Sequence, residues 1–295
     1  MNDFWNATYQ VARKEFLQHI RTKRLLIIMG LLILFMVLFL FVFGPNFVRG
    51  VGFGGSGMSR QHLVLSFYFA PMLVGGLQFM QLLAIVLTMD AVCSEWNQKT
   101  IFLLLSKPVP RTAFVTGKYL GNLATIAASL VPLFLLAYVA LIPAYSGAPS
   151  GCEFVAFLTV LAFILLGCAA FASISLFVST ITKTTLMSAL IVMAMWIIGF
   201  PMISNIGVFT ADGPFARDDW ALDGWRYLSP GAAMQAGIKL MAVDEGGRDI
   251  LDGLDFFNVF NFAAQRVWLA ALSLAGFTGV FFLASIIAVQ LRNFE

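Results

Sequence analysis

Residues 154–179 read FVAFLTVLAFILLGCAAFASISLFVS, an unbroken run without a single charged side chain. A helix needs about 20 apolar residues to cross the hydrocarbon core of a bilayer. This run is too long for an ordinary buried strand and too apolar for a surface helix. Working outward, five further runs of this kind occur, at 25–43, 63–92, 119–142, 186–208 and 267–289. The chain as a whole is 60% hydrophobic and only 11% charged, with a mean hydropathy of +0.89 over 295 residues. Soluble domains carry about 25% charged residues. A soluble fold has nowhere to hide this much apolar surface, so the fold class is all-α: a polytopic membrane protein with six transmembrane helices.

The predicted spans carry few breakers. Pro71, Pro132 and Pro201 fall inside them and are tolerable where neighbouring helices satisfy the freed backbone groups. Gly75, Gly76, Gly276 and Gly279 offer close helix approach, and Gln78, Gln81, Asn122 and Asn205 offer interhelical hydrogen bonds. The first apolar run follows a charged leader and is too long for a signal-peptide core.

Basic residues set the orientation. One set of loops holds Arg13, Lys14, Arg21, Lys23, Arg24, Lys99, Lys107, Arg111, Lys118, Lys183 and Arg292. The opposite set, Arg49, Arg60, Arg217, Arg226, Lys239, Arg248 and Arg266, is smaller and lies mostly in one long loop, which weighs little. Both termini are therefore expected in the cytoplasm, with the chain in the inner or plasma membrane. Most acidic residues, from Glu153 to Asp255, fall on the other side.

The chain reads as a single transmembrane domain over 1–295 with three non-spanning pieces. The leader 1–24 places Trp5, Tyr9, Ala12, Phe16 and Ile20 at helical spacing, with Gln10, Arg13, Lys14 and Gln18 on other faces. That pattern suits an interfacial helix on anionic lipid. A cytoplasmic loop occupies 94–118. The extracytoplasmic segment 209–266 is the largest non-spanning piece; Ser229 and Pro230 form a good helix start there, and a partner on that side is possible.

Chemistry-bearing motifs are scarce. No phosphate-binding G-x-x-x-x-G-K-[ST] occurs, and Gly117-Lys118 is followed by Tyr119. His19 and His62 lie near opposite faces and cannot share a nucleophile. Ser173 and Ser175 fit backbone or interhelical bonding better than catalysis. Asp90 is the one acid within a span, about a turn from its cytoplasmic end. Cys93, Cys152 and Cys168 show neither metal spacing nor a disulfide framework. Asp244, Glu245, Asp249, Asp252 and Asp255 lack a calcium-loop pattern and read as a solvated face. The chain is expected to be no enzyme, to hold no cofactor and no metal, and to bind no nucleic acid.

The loop after the second span reads SEWNQKTIFLLLSKPVPRTAFVTGKYLG, residues 94–121. A polar start at Glu95–Thr100 leads into an apolar turn at Ile101–Leu105. Pro108 and Pro110 then break the helix between Lys107 and Arg111. Its polar side can face a partner while its leucines rest on the bundle; a snorkelling interfacial turn fits the same pattern.

This stretch resembles the signature of type-two ATP-binding-cassette (ABC) permeases, in particular the branch of the nitrous-oxide-reductase maturation permease. That branch shows a Glu, then Glu-x-Gly-Thr, a Leu-rich turn, Ser-x-Pro-Val-x-Arg and Gly-Lys. Glu95, Thr100, Leu103, Leu104, Leu105, Ser106, Pro108, Val109, Arg111, Gly117 and Lys118 match, while Asn97 replaces the second acid and Lys99 the glycine. The leader from Arg13 to Arg24 and the stretch Tyr227-Leu228-Ser229-Pro230 resemble the family more weakly. The resemblance implies an exporter-type permease subunit pairing with a second copy and driven by separate cytoplasmic ATPase subunits, which hold the ATP and Mg. It also implies that 94–106 is a coupling helix, with Glu95, Asn97, Thr100, Leu104, Lys107 and Arg111 as the ATPase-coupling contacts. Two other classes remain open: a membrane-embedded enzyme or assembly factor, and a passive channel or secondary transporter.

Overall fold

The computed structural model describes residues 2–21, 25, 27, 29, 30, 32–34, 77–97, 110–141, 151–200, 202, 229–231, 233, 234 and 267–291. Among these, no strand occurs. The helices are α1 (Asn2–Arg21), α2 (Leu77–Thr88), α3 (Cys93–Asn97), α4 (Arg111–Leu141), α5 (Gly151–Ile181), α6 (Thr185–Ala194) and α7 (Val267–Leu291). A π-helical turn, Met195–Gly199, prolongs α6.

Four helical stretches are long and apolar enough to cross a membrane: Phe79–Trp96, Arg111–Leu136, Phe157–Ile181 and Trp268–Leu291. They correspond to the predicted second, third, fourth and sixth spans. A shorter apolar helix at Thr185–Gly199 lies within the predicted fifth. Of the predicted first span, Leu25–Leu34 is helical where described, with Leu25 and Leu32 buried; its remainder and the loop 44–62 lie outside the described residues. The chain is a multi-pass membrane protein of helical architecture.

The uncharged run 154–179 is also the centre of the bundle. α5 packs against α7, α2, α4 and α6. Its spanning window is 72% buried, against 17% for α7, which leaves α7 peripheral. Gly167 explains one close approach in α5: a Cβ there would overlap the thioether of Met234. Ser229, Ala233 and Met234 are accordingly buried, and the amide of Ala233 donates to Ser229 O at 2.9 Å in the first helical turn. The helix start predicted at Ser229-Pro230 is present, seated inside the bundle against α5.

Among the described residues, several polar side chains inside the bundle bond to backbone or to neighbouring helices. The indole Nε1 of Trp196, on the π turn, donates to Gln81 Oε1 of α2 at 2.9 Å. Tyr119 of α4 donates to Ala169 O of α5 at 3.2 Å. Ser173 bonds within its own helix, to Ala170 O, and Ser175 reaches Ile85 O of α2 at 3.3 Å. Such bonds hold spans together where the hydrophobic effect gives no preference between lipid and protein.

Candidate functional site: a buried ion cluster at the stem of the 94–118 loop

Helix α1 is held on α4 by two glycines one turn apart. A Cβ on Gly117 would sit 2.6 Å from Val11 Cβ and 2.8 Å from Thr8 O. One on Gly121 would sit 2.8 Å from both Ala12 O and Glu15 Cβ. Two of these neighbours are backbone oxygens, which cannot rotate away. The notches bring the face Thr8, Val11, Ala12, Glu15 and His19 onto the start of α4. Of the predicted apolar stripe, three residues point elsewhere: Trp5 and Tyr9 are 59% and 68% exposed, and Ile20 is also exposed.

Between the two notches stands Lys118, 1% exposed although it is a lysine. Its ammonium lies 2.8 Å from Glu15 Oε1 of α1 and 3.1 Å from Glu95 Oε1 of α3. Lys14 of α1 adds a third bridge, 3.0 Å from the same Glu95 oxygen, with its own side chain half exposed. The Phe114 ring, one turn before, lies with its centroid 5.1 Å from the ammonium. One turn further on, His19 Nε2 and Asn122 Oδ1 are 2.8 Å apart. Two ammonium groups thus balance two carboxylates, as burial of charge requires.

The cluster spans three elements. Glu95 lies on α3, before the loop, and Lys118 lies on α4, after it, so their pair closes the stem of the loop. Glu15 and Lys14 fasten the closed stem to α1. Arg111, the first residue of α4, is exposed, and its Nη1 lies 3.5 Å from Gln290 O in the last turn of α7. A cation suits the carbonyl end of a helix.

The loop residues expected to contact a partner are distributed as follows. Glu95 is turned inward on Lys118 and is 8% exposed. Arg111 faces outward. Asn97 is the last residue of α3. Thr100, Leu104 and Lys107 lie outside the described residues. Glu15 and Lys118 were not among the expected contacts. Lys118 looked like one more cytoplasmic cation, and its partner stands 103 positions away. The available signal was the spacing: glycines at 117 and 121 mark a notch on the face of α4 that flanks Lys118, and Glu15 falls one turn after Val11 and Ala12 on α1.

A family model described as ABC-2 family transporter protein matches residues 9–286, nearly the whole chain. The chain belongs to the ABC-2 transporter family. The match begins inside α1 and ends inside α7, so the second half of the leader helix and the ion cluster are within the family domain. A comparison with curated proteins gave no match. As an ABC-2 member the chain is the membrane permease component of an ABC transporter, a family whose members work in general with an ATPase. The type-two permease resemblance of the 94–121 stretch agrees with this assignment.

Proposed function

We propose that this chain is the permease subunit of an ATP-driven, exporter-type ABC transporter, in which a separate cytoplasmic ATPase docks on the 94–118 loop and drives substrate movement. The observation that carries the reading is the Lys118 cluster. A loop that receives force must not swing freely on its stem, and the Glu95–Lys118–Glu15 contacts bind that stem into one body with α1 and the start of α4. A push on the loop then moves α1 and the third span together. Within this reading Glu95 transmits force, and Asn97, Thr100, Leu104, Lys107 and Arg111 meet the ATPase.

The same reading includes a second permease copy, forming a homodimer, because half a bundle makes no enclosed pathway. Both termini face the cytoplasm, and α1 lies along the membrane surface with Trp5, Tyr9 and Ile20 toward lipid. ATP and Mg belong to the ATPase, since the chain has no phosphate-binding loop. The Ser-x-Pro-Val-x-Arg motif at 106–111 favours the nitrous-oxide-reductase maturation branch. The segment around Ser229–Met234 is the natural place for an extracytoplasmic partner to influence the bundle.

The test is a reconstituted complex of permease and ATPase carrying Glu95→Gln. The expected result is a bound ATPase whose hydrolysis no longer responds to the permease, because docking survives and the stem is loosened. An ATPase stimulated as strongly as with the unmodified chain would remove the force-transmitting role.

A further inference from the structure

Helices α2 and α3 belong to one apolar stretch, yet they are separated by a turn at 89–92. The regular ladder persists as far as the Met89 amide, which donates to Ile85 O at 2.8 Å. Ala91 then turns back to Thr88 O at 3.2 Å, a tighter spacing. The next two amides leave the ladder altogether. Val92 and Cys93 both donate to the hydroxyl oxygen of Ser179, on α5, at 3.1 and 3.2 Å. The Cys93 thiol donates in turn to Ser179 O at 2.9 Å. On the other side of the break, Ser188 of α6 donates to Met89 O at 2.6 Å. Ser179 and Ser188 are both fully buried.

A helix start normally has its first amides capped by a side chain just upstream. Here the cap for α3 comes from another helix, 86 positions away. At this depth an unmet amide is costly, and a break in a spanning helix persists only where a neighbour supplies the missing partner. A single hydroxyl oxygen accepting two amides also imposes looser geometry than two ladder bonds. The backbone between Met89 and Val92 can therefore change its dihedrals with few ladder bonds to unmake; the Ser94 amide to Asp90 O, at 3.0 Å, is the i→i−4 bond that crosses it. Each flank is rigid: Leu83, Ala84 and Ile85 of α2 are fully buried in the core, and Glu95 of α3 is held by the Lys118 cluster.

We infer that Met89–Val92 is a hinge on which α3 and the cytoplasmic loop tilt against the second span, with Ser179 as a positioning residue that caps α3 as it moves. This rests on the reading of 94–118 as the docking loop for the ATPase. Force entering at the loop then reaches α5, the central helix, through Ser179 rather than along an unbroken second span.

Peptide-level hydrogen exchange on the permease–ATPase complex tests this, comparing the permease alone, the nucleotide-free complex and the vanadate-trapped complex. Docking should protect 94–118. Trapping should change exchange across 88–97 by about fivefold or more, while 79–86 and 167–178 stay constant. Ser179→Ala should abolish the difference between trapped and free states. Ser175→Ala should leave it intact, because Ile85 O already accepts from Met89. Docking protection with no nucleotide-dependent change over 88–97 would overturn the hinge while leaving the docking loop in place. Absence of protection over 94–118 would overturn both.

Discussion

At the residue scale the decisive feature is one lysine with nowhere else to go. Lys118 is enclosed by α1, α3 and Phe114, and the two carboxylates it touches do not contribute equally. Glu15 is itself buried and has Lys118 as its cation, whereas Glu95 is shared with the half-exposed Lys14. Breaking a buried pair from one side strands the other charge and costs about 3–5 kcal/mol, while a partly exposed pair contributes about 0–1 kcal/mol. Lys118→Met should therefore lower stability by the larger amount, and adding Glu15→Gln should recover much of it by removing the stranded carboxylate. Glu95→Gln alone should cost less than Lys118→Met, because Lys118 keeps Glu15 at 2.8 Å and the half-exposed Lys14 can turn to water. Thermal unfolding in detergent monitors all three; equal losses for Lys118→Met and Glu95→Gln would show that the cluster does not behave as an asymmetric pair. None of this was legible locally, because a lysine in a basic flank looks solvated until the helix that buries it is known.

At the element scale the same cluster depends on how closely α1 lies on α4. Gly121→Ala would press a methyl group against the backbone oxygen of Ala12, which can yield only by moving the whole helix. Overpacking of this kind typically costs about 1–3 kcal/mol. The expected outcome is faster proteolysis within residues 2–21 and a lower unfolding temperature, with Gly276→Ala as the silent control because nothing lies within 4 Å of its added Cβ. A protected α1 in Gly121→Ala would mean that the notch is not what holds it. The helical spacing of Trp5, Tyr9 and Ile20 was readable from the leader, and these residues are exposed on a helix. The opposite face was not readable, since Thr8, Val11, Ala12, Glu15 and His19 mix polar and apolar types. Their common property is fit to two glycines on another helix. Run length and the absence of charge likewise revealed four of the predicted spans, because burial in lipid depends on local composition. The break at Met89–Val92 escaped notice, because it is stabilised by hydroxyls of α5 and α6.

At the scale of the whole molecule, the placement of the cations gives an expected orientation. Arg111 and Lys183 should share the cytoplasmic side, and the start of α5 should lie opposite. Impermeant maleimide on spheroplasts should label Cys152 directly and Lys183→Cys only after permeabilisation. Cys93 and Cys168 are fully buried and serve as silent internal controls. The reverse pattern would place the 94–118 loop outside the cell and remove it from any ATPase.

In the proposed complex a cytoplasmic ATPase engages this permease at the loop that ends at Arg111. The most direct measurement is ATP hydrolysis that co-purifies with the affinity-tagged chain from native membranes, normalised to permease. Truncating a charge buried at a protein interface costs about 2–5 kcal/mol, and each 1.4 kcal/mol is a factor of ten in affinity. Hydrolysis is expected with the unmodified chain and with Asp249→Ala in the 209–266 segment, at least about a tenfold loss with Arg111→Ala, and none from the chain stripped of its partner. Equal hydrolysis from Arg111→Ala and the unmodified chain, or activity in the stripped chain, would rule out ATPase docking at this loop.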